Sequence, residues 1–552
     1  MAERADSPYH FADGTTPEIE AHSVFVSPAP SGRAALRVLQ IGVVVIVIAA
    51  VTWKEFELDR FYVPKELVLH LTAFLGGLFA VRSVRRLSLT RIDLLLIAFV
   101  GAGALSALFA ANGWLAVRAL TMSASAVVIF WTARALRRAG LAGPLLGAIA
   151  VAVVVGVGTS LLQVYGVTTD LFSLNRAPGG TLGNRNSIAH MAAFGLPIVL
   201  LVALRATHWA RWLSAGIGAT LVAATLVLTR SRAGFLALGA VLFVLVAALI
   251  VSPALRRHGR TWLRLTVIAS LAGAGIAAAA LVPNALNWRS DNPYMETLTG
   301  VANYQEGSGR GRLVQYRQSL RMAVDNPLLG VGPGNWAVEY PDYAAARDPS
   351  LDNSAAGMTS NPWPSSDWVA FVSERGFIAA LLLCLALLGI AIRAIRQLVR
   401  EDADDALGAT ALLATLAAAC IAGLFDAVLL LALPSLLVFA ALGALWPITE
   451  NPQPPRTSAG AAAALLVLSF IAAIGALRSA AQVTAMGVYA NSSSTAWLSR
   501  AAFVDPGGYR LHTRLAQRGS GLNRAERCAH ARAARDLYPN AGEARNLADG
   551  CD

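Results

Sequence analysis

Charge is what this sequence has least of. Only 14% of its 552 residues are Asp, Glu, Lys or Arg, against about a quarter in soluble domains. That shortage excludes an ordinary water-soluble fold. Histidine is sparse as well, with none between His258 and His512. Two of the four cysteines, Cys384 and Cys420, lie inside apolar runs, where cysteine behaves as a small hydrophobe. No group of residues has metal-ligand spacing, and neither a phosphate-binding glycine loop nor a strand followed by GxGxxG occurs. Neither a metal nor an organic cofactor is expected. A cleavable leader is missing too: residues 1–32 are polar, carry His10 and Asp13, and read with residue 33 as a disordered cytoplasmic tail.

What abounds is apolar sequence, at 56% of the chain. A membrane span needs about 20 apolar residues at a rise of about 1.5 Å each. Thirteen stretches qualify: 36–53, 66–82, 93–111, 114–133, 143–164, 187–204, 212–229, 234–252, 263–282, 368–392, 407–424, 427–447 and 460–480. The weakest are 114–133, which carries Arg118, and the Ala-rich 407–424. The expected fold is therefore all-α, a polytopic bundle of about 12–13 transmembrane helices in two blocks, 34–282 and 368–480. One large loop, 283–367, separates the blocks, and a polar helical tail, 481–552, follows them.

Arginine placement orients the bundle. With the amino terminus inside, the short junctions holding Arg85 and Arg86, Arg137 and Arg138, Arg256 and Arg257, and Arg396 and Arg400 all face the cytoplasm. The net charge of +12 is thereby explained by topology rather than by a nucleic-acid partner. Arginines on the outer side run against this bias: Arg118, Arg176, Arg185, Arg230, Arg232 and several in the large loop, Arg289, Arg310, Arg312, Arg317, Arg321 and Arg347 among them. Singly each could snorkel or solubilise a loop. As a set they suit an anion, because the guanidinium fork binds phosphate oxygens in pairs.

Three outer segments carry the chemistry. "GGTLGNRNSIAH" at 179–190 offers Asn184 and Asn186 beside a helix amino terminus, an end that favours anions. "LTRSRAG" at 228–234 is a tight turn with two arginines. The stretch "GRGRLVQYRQSLRMAVDNPLLGVGPGNW" at 309–336 predicts an amphipathic helix over 312–324, ending at Asp325-Asn326-Pro327, and "SSDWVAFVSERG" follows at 365–376. In this order, the segments resemble the O-antigen ligase / O-antigen polymerase superfamily of bacterial membrane glycosyltransferases. The resemblance spans roughly residues 35–450. It implies an inner-membrane, multi-pass enzyme whose active site faces the periplasm. Such an enzyme moves a glycan, without a metal, from undecaprenyl-diphosphate to a hydroxyl acceptor. It also implies that Arg232 and Arg312 hold the diphosphate. Charge placement adds Arg185, Arg230, Asn184, Asn186 and Arg118.

One departure concerns the base. Where the family carries a histidine before its last outer-loop helix, this chain has Ser365. Asp367, Glu374 and His190 remain as candidates for acid/base work. Glu374 would sit about two turns into a span, where a carboxylate is a functional candidate by default; its structural alternative is a partner for Arg375 or Arg232. His190 lies four residues after Asn186 on the same helix side, and its structural alternative is a buried ring bonded to a carbonyl. A mechanism without a base, driven by charge stabilisation alone, also stays open.

In the tail, Pro506 and Pro539 lie 33 apart in similar contexts, close to a tetratricopeptide period. Cys528 and Cys551 are expected to pair, since the periplasm is oxidising. The acceptor stays open among a lipid A-core sugar (preferred), the growing glycan, and protein. A transporter is disfavoured because the span interiors read as nearly free of charge. Partners are thus a lipid-linked glycan, one of these acceptors and membrane lipids. The topology is directly testable: alkaline phosphatase fused after Asn303 is expected to be active, and fused after Arg400 inactive. The reverse pattern overturns the orientation.

Overall fold

The computed structural model describes residues 30–84, 89–257, 259–288, 290, 292–300, 307–345, 347–352, 358–400, 402–447 and 459–551. Most of the polar amino-terminal tail, together with Arg85, Arg86 and Arg289, lies outside these residues.

The first block holds α1 (Pro30–Ile48), α2 (Asp59–Val84), α3 (Arg91–Ala107), α4 (Gly113–Arg138), α5 (Ala142–Val164), α6 (Arg185–Arg205), α7 (Trp209–Thr229), α8 (Arg232–Val251), the short α9 (Pro253–Arg257) and α10 (Gly259–Leu281). The large loop carries α11 (Pro293–Thr299), α12 (Gly307–Asp325) and α13 (Trp336–Tyr343). The second block is α14 (Asp367–Leu398), α15 (Ala403–Phe425), α16 (Ala432–Ala444) and α17 (Ala459–Asn491). Four short helices close the chain: α18 (Thr495–Val504), α19 (Tyr509–Arg518), α20 (Arg524–Leu537) and α21 (Gly542–Asp549). Among the described residues a helix falls in each of the thirteen expected spans, and eleven of these helices are long and apolar enough to cross a membrane. The multi-pass, all-helical architecture is that expected.

Two spans are shorter than expected. Helix α3 has 17 residues and α16 only 13. The stretch 427–447 loses its first turn for a definite reason. Asp367 accepts the N–H groups of Val428, Leu429 and Leu430 at 2.9, 2.8 and 3.2 Å, holding that backbone outside the helix. A second interruption falls inside α14. Gly376 has φ 77° and ψ 170°, so the helix breaks there. The loop residues after α12 fill the break: Phe377 donates to the Pro327 carbonyl at 2.9 Å, Val331 to Ser373 at 3.0 Å and Gly332 to Glu374 at 2.9 Å. A Cβ on Gly330 would approach the Glu374 carbonyl carbon to 2.3 Å, so only glycine fits.

The span interiors are less free of charge than the sequence suggested. Glu66 of α2 takes a forked contact from Arg118 of α4 and lies 3.8 Å from Arg478 of α17. Asp93 of α3 is fully buried and pairs with Arg134 at 2.8 Å and the Trp131 indole at 2.9 Å. Lys65 donates to the carbonyls of Ala49, Phe61 and Thr181 at 2.6, 3.0 and 2.8 Å. His70 meets the Ser125 hydroxyl at 2.8 Å. Each of these buried charges has an answering group, as an apolar surrounding demands.

The large loop and the tail meet at the same end of the bundle. Asn112, before α4, donates to the Leu537 carbonyl of α20 at 2.9 Å. Asn540 donates to Asp342, just inside the end of α13, at 2.8 Å. Cys528 and Cys551 form a disulfide, as expected. Within the tail, His512 and His530 face each other with Nδ1 atoms 3.0 Å apart, so one ring donates and the other accepts. Burial holds both below the ordinary histidine value of 6.5, and for His512 the neighbouring His530 adds to this. A depressed histidine favours the neutral form in the fold. Its stabilising effect is present above pH 6.5 and is lost as pH falls through the folded value. Amide exchange in α19 and α20 of the intact protein is therefore expected to accelerate between pH 7 and pH 5. His530→Gln should flatten that dependence; an unchanged pH profile in the variant refutes this role for the pair.

Candidate functional site

At this same end, two helices begin side by side. Asn184 caps α6, its side chain accepting the Asn186 N–H at 2.9 Å. Ser231 caps α8, accepting the Gly234 N–H at 3.3 Å. Gly234 permits the close approach, since a Cβ there would sit 2.7 Å from that of Ala189. Between α7 and α8 the chain turns through Arg230 in the left-handed region, φ 50° and ψ 32°. Unpaired N–H groups and the helix dipole make such starts attractive to anions.

A cavity of about 740 Å3 opens over these two starts. Among the described residues, Arg185, Arg230, Arg232 and Arg312 line it, against a single carboxylate, Glu296. Asn186 lines it too. Sequence reasoning singled out each of these six residues except Glu296. Trp288, from the large loop, lies between two of the guanidinium groups, its ring 5.2 Å from Arg185 and 4.9 Å from Arg230. Glu296 and Thr297 of α11 bind Arg230 at 3.0 and 2.9 Å, so this loop helix sits on the arginine turn. Trp288 and Glu296 carry no distinguishing sequence signal of their own.

Arg118 is placed elsewhere. Its guanidinium is engaged by Glu66, and it lines a different cavity beneath the tail. Asn184 acts through its cap rather than through the cavity. Of the expected acid/base candidates, two are held by backbone. Asp367 is fully buried and accepts the three N–H groups described above. Glu374 is 2% exposed and accepts the Gly334 N–H at 2.8 Å, so it fastens the inserted loop. Arg375 turns away from it to the Ala119 carbonyl, at 3.1 Å.

His190 is 2% exposed, one turn behind Asn186. Its Nε2 has no hydrogen-bond partner among the described residues. It faces a void of about 20 Å3 shared with Tyr62, Lys65 and Ser187, room for about one water. In front of it lies a residue the sequence reasoning passed over. Asp426 follows α15, is half-buried, and accepts the Asn186 side-chain amide at 3.2 Å. The signal was present, since Asp426 stands alone between two apolar runs, an exposed span end where a carboxylate has no structural need. Ser365 lies close by: Tyr316 of α12 donates to both the Ser365 and Leu424 carbonyls, at 2.6 and 2.9 Å. The position where a histidine was expected thus packs against the end of α15, two residues from Asp426.

Lys65 is the second residue passed over. By bonding Ala49, Phe61 and Thr181 together it fixes the glycine-rich approach to α6, and hence where Arg185 and Asn186 emerge.

No curated protein matches this chain. Residues 217–384 match the family model described as O-Antigen ligase. That stretch includes Arg230, Arg232, Arg312 and Trp288 of the cavity, while Arg185, Asn186 and Asp426 come from outside it. With an arginine-lined cavity at one end of a many-helix bundle, the O-Antigen ligase domain at residues 217–384 supports a place in the O-antigen ligase / O-antigen polymerase superfamily.

Proposed function

We propose that this protein is an O-antigen ligase-like glycosyltransferase of the bacterial inner membrane. It transfers a glycan from undecaprenyl-diphosphate to a hydroxyl acceptor, a lipid A-core sugar, at the periplasmic face. The observation that carries the reading is the convergence of four arginines on two helix amino termini in one cavity. A diphosphate bears at least two negative charges and several acceptor oxygens, which this arrangement answers at once.

In the reaction, the acceptor hydroxyl oxygen bonds to the anomeric carbon of the donor as the bond from that carbon to the diphosphate oxygen breaks. The departing diphosphate keeps the bonding electrons, and Arg185, Arg230, Arg232 and Arg312 stabilise the charge that grows on it. The hydroxyl proton needs a destination. Glu296, the carboxylate that lines the cavity, is taken by Arg230, whereas Asp426 stands beside the cavity, accepts the N–H of its own neighbour Ala427 and is oriented by the Asn186 amide. Asp426 is therefore assigned as the base, with Asp367 and Glu374 in supporting roles. His190 is the second reading, favoured by its unpartnered Nε2 directly behind Asn186.

Arg232→Lys and Arg312→Lys keep the charge but lose the fork. Each is expected to lower transfer from the lipid-linked donor by about ten- to a hundredfold. Wild-type rates in both dismiss the diphosphate role. With protein amount controlled, Asp426→Asn should cost about 10²–10⁴-fold, while His190→Ala stays close to wild type; the opposite ranking hands the base role to His190. Lipopolysaccharide banding in a deletion strain separates the acceptors. Lipid A-core without O-chain is expected; a single repeat on core instead indicates a polymerase.

A further inference from the structure

We infer that the second cavity at this end of the bundle, between the membrane helices and the carboxyl-terminal tail, is the binding site for the sugar residues of the acceptor. The inference rests on the transferase reading above and adds where the acceptor is recognised and by which part of the chain.

The cavity measures about 530 Å3, within the roughly 300–1,000 Å3 span of small-ligand sites. Its chemistry differs from that of the arginine cavity. Five carboxylates face four guanidinium groups, with aromatic rings and neutral hydroxyl and amide groups between them. An anion has no reason to choose such a balanced wall over the nearby cluster of arginines. A sugar does: every hydroxyl both donates and accepts, so alternating carboxylates and guanidinium groups satisfy it, and its apolar ring faces pack on aromatic side chains.

Two groups in the wall await a partner. Asp505 is 3% exposed and lies beside the Trp114 indole, and by distance and angle its Oδ1 and the indole N–H each lack a hydrogen-bond partner among the described residues. The Asp505 Oδ1 and the Trp114 N–H, an acceptor and a donor on one wall of the cavity, mark where ligand hydroxyls belong. The half-buried Tyr538 lines the cavity, its ring edge-to-face with that of Tyr509. The opposite wall is rigid. Arg478 is fixed by the Trp114 carbonyl at 3.2 Å and by Gln482 at 3.2 Å.

The cavity also adjoins the reaction site. Arg176 lines it, and the Arg176 carbonyl accepts the N–H of Arg185, which lines the arginine cavity, at 3.0 Å. The segment from Arg176 to Arg185 is thus a partition, with the donor diphosphate on one side and the acceptor on the other. Tyr538 and Asp505 both belong to the tail, outside the 217–384 stretch that matches the family. The tail therefore supplies acceptor choice to a transfer machinery shared with the family.

The test is direct binding to the full-length protein in nanodiscs, followed by calorimetry. The probes are core oligosaccharide, released from the source strain's lipopolysaccharide by mild acid, and undecaprenyl diphosphate without sugar. Wild type should bind both. Tyr538→Phe, which keeps the ring stacking, should weaken the oligosaccharide about fivefold, and Asp505→Asn about tenfold. Neither should alter binding of the lipid diphosphate. Lipid binding without oligosaccharide binding, or oligosaccharide binding indifferent to both substitutions, overturns the inference while leaving the transferase reading in place. Weakened lipid binding in the variants assigns the cavity to the donor and overturns it equally. Failure of wild type to bind either probe overturns the transferase reading, and the inference with it.

Discussion

Inside an apolar bundle, a backbone group released from its helix has no water to turn to and must find a partner in the protein. The site of this protein is built from such releases. Breaking α14 at Gly376 frees the groups around Ser373 and Glu374, and the loop after α12 supplies their partners. Unwinding residues 428–430 ahead of α16 frees three N–H groups, and Asp367 takes all of them. The carbonyls at Ala49, Phe61 and Thr181 converge on one ammonium, that of Lys65. Each of these three stretches is pinned by a named group, so its irregularity is rigid.

That rigidity brings like charges together. Four guanidinium groups around one cavity repel each other, and two helix dipoles add to the positive potential. The fold moderates the repulsion in two ways. Trp288 presents its ring to Arg185 and Arg230, and Glu296, 62% exposed, neutralises part of Arg230. Neither removes the excess. The diphosphate of the proposed reaction carries charge of the sign that offsets this excess, and its charge grows as it leaves.

Much of this was legible in the sequence because its causes are local. Hydropathy alone located all thirteen helices, since each apolar run is set by the bilayer and not by its neighbours. The arginines on the outer side were legible as exceptions to a strong bias, and Arg185, Arg230, Arg232 and Arg312 do share a cavity. What escaped depends on contacts between distant segments. Arg118 looked like the other outer arginines until Glu66, 52 residues away, claimed it. Glu374 looked catalytic because a carboxylate in a span is costly, and the cost is met by the Gly334 N–H. Asp426 attracted no attention beside a missing histidine, although chain geometry carries it to the neighbourhood of Ser365. Such pairings are set by tertiary packing, which periodicity and spacing do not encode.

The break in α14 also constrains how the protein is made. In the orientation proposed above, the residues that complete this span, 327–332, reach it from the far side of the bilayer. They precede α14 in the chain, so during synthesis they are already translocated when the span enters the membrane. Asp367 is different, because its partners at 428–430 lie one hairpin later and have yet to leave the ribosome. The span can therefore settle around Gly376 at once, but its outer end stays unfinished until α15 and α16 insert. Assembly of the active site is thus ordered by the direction of translation, and a nascent chain halted before residue 428 would carry a seated loop beside an unpaired carboxylate.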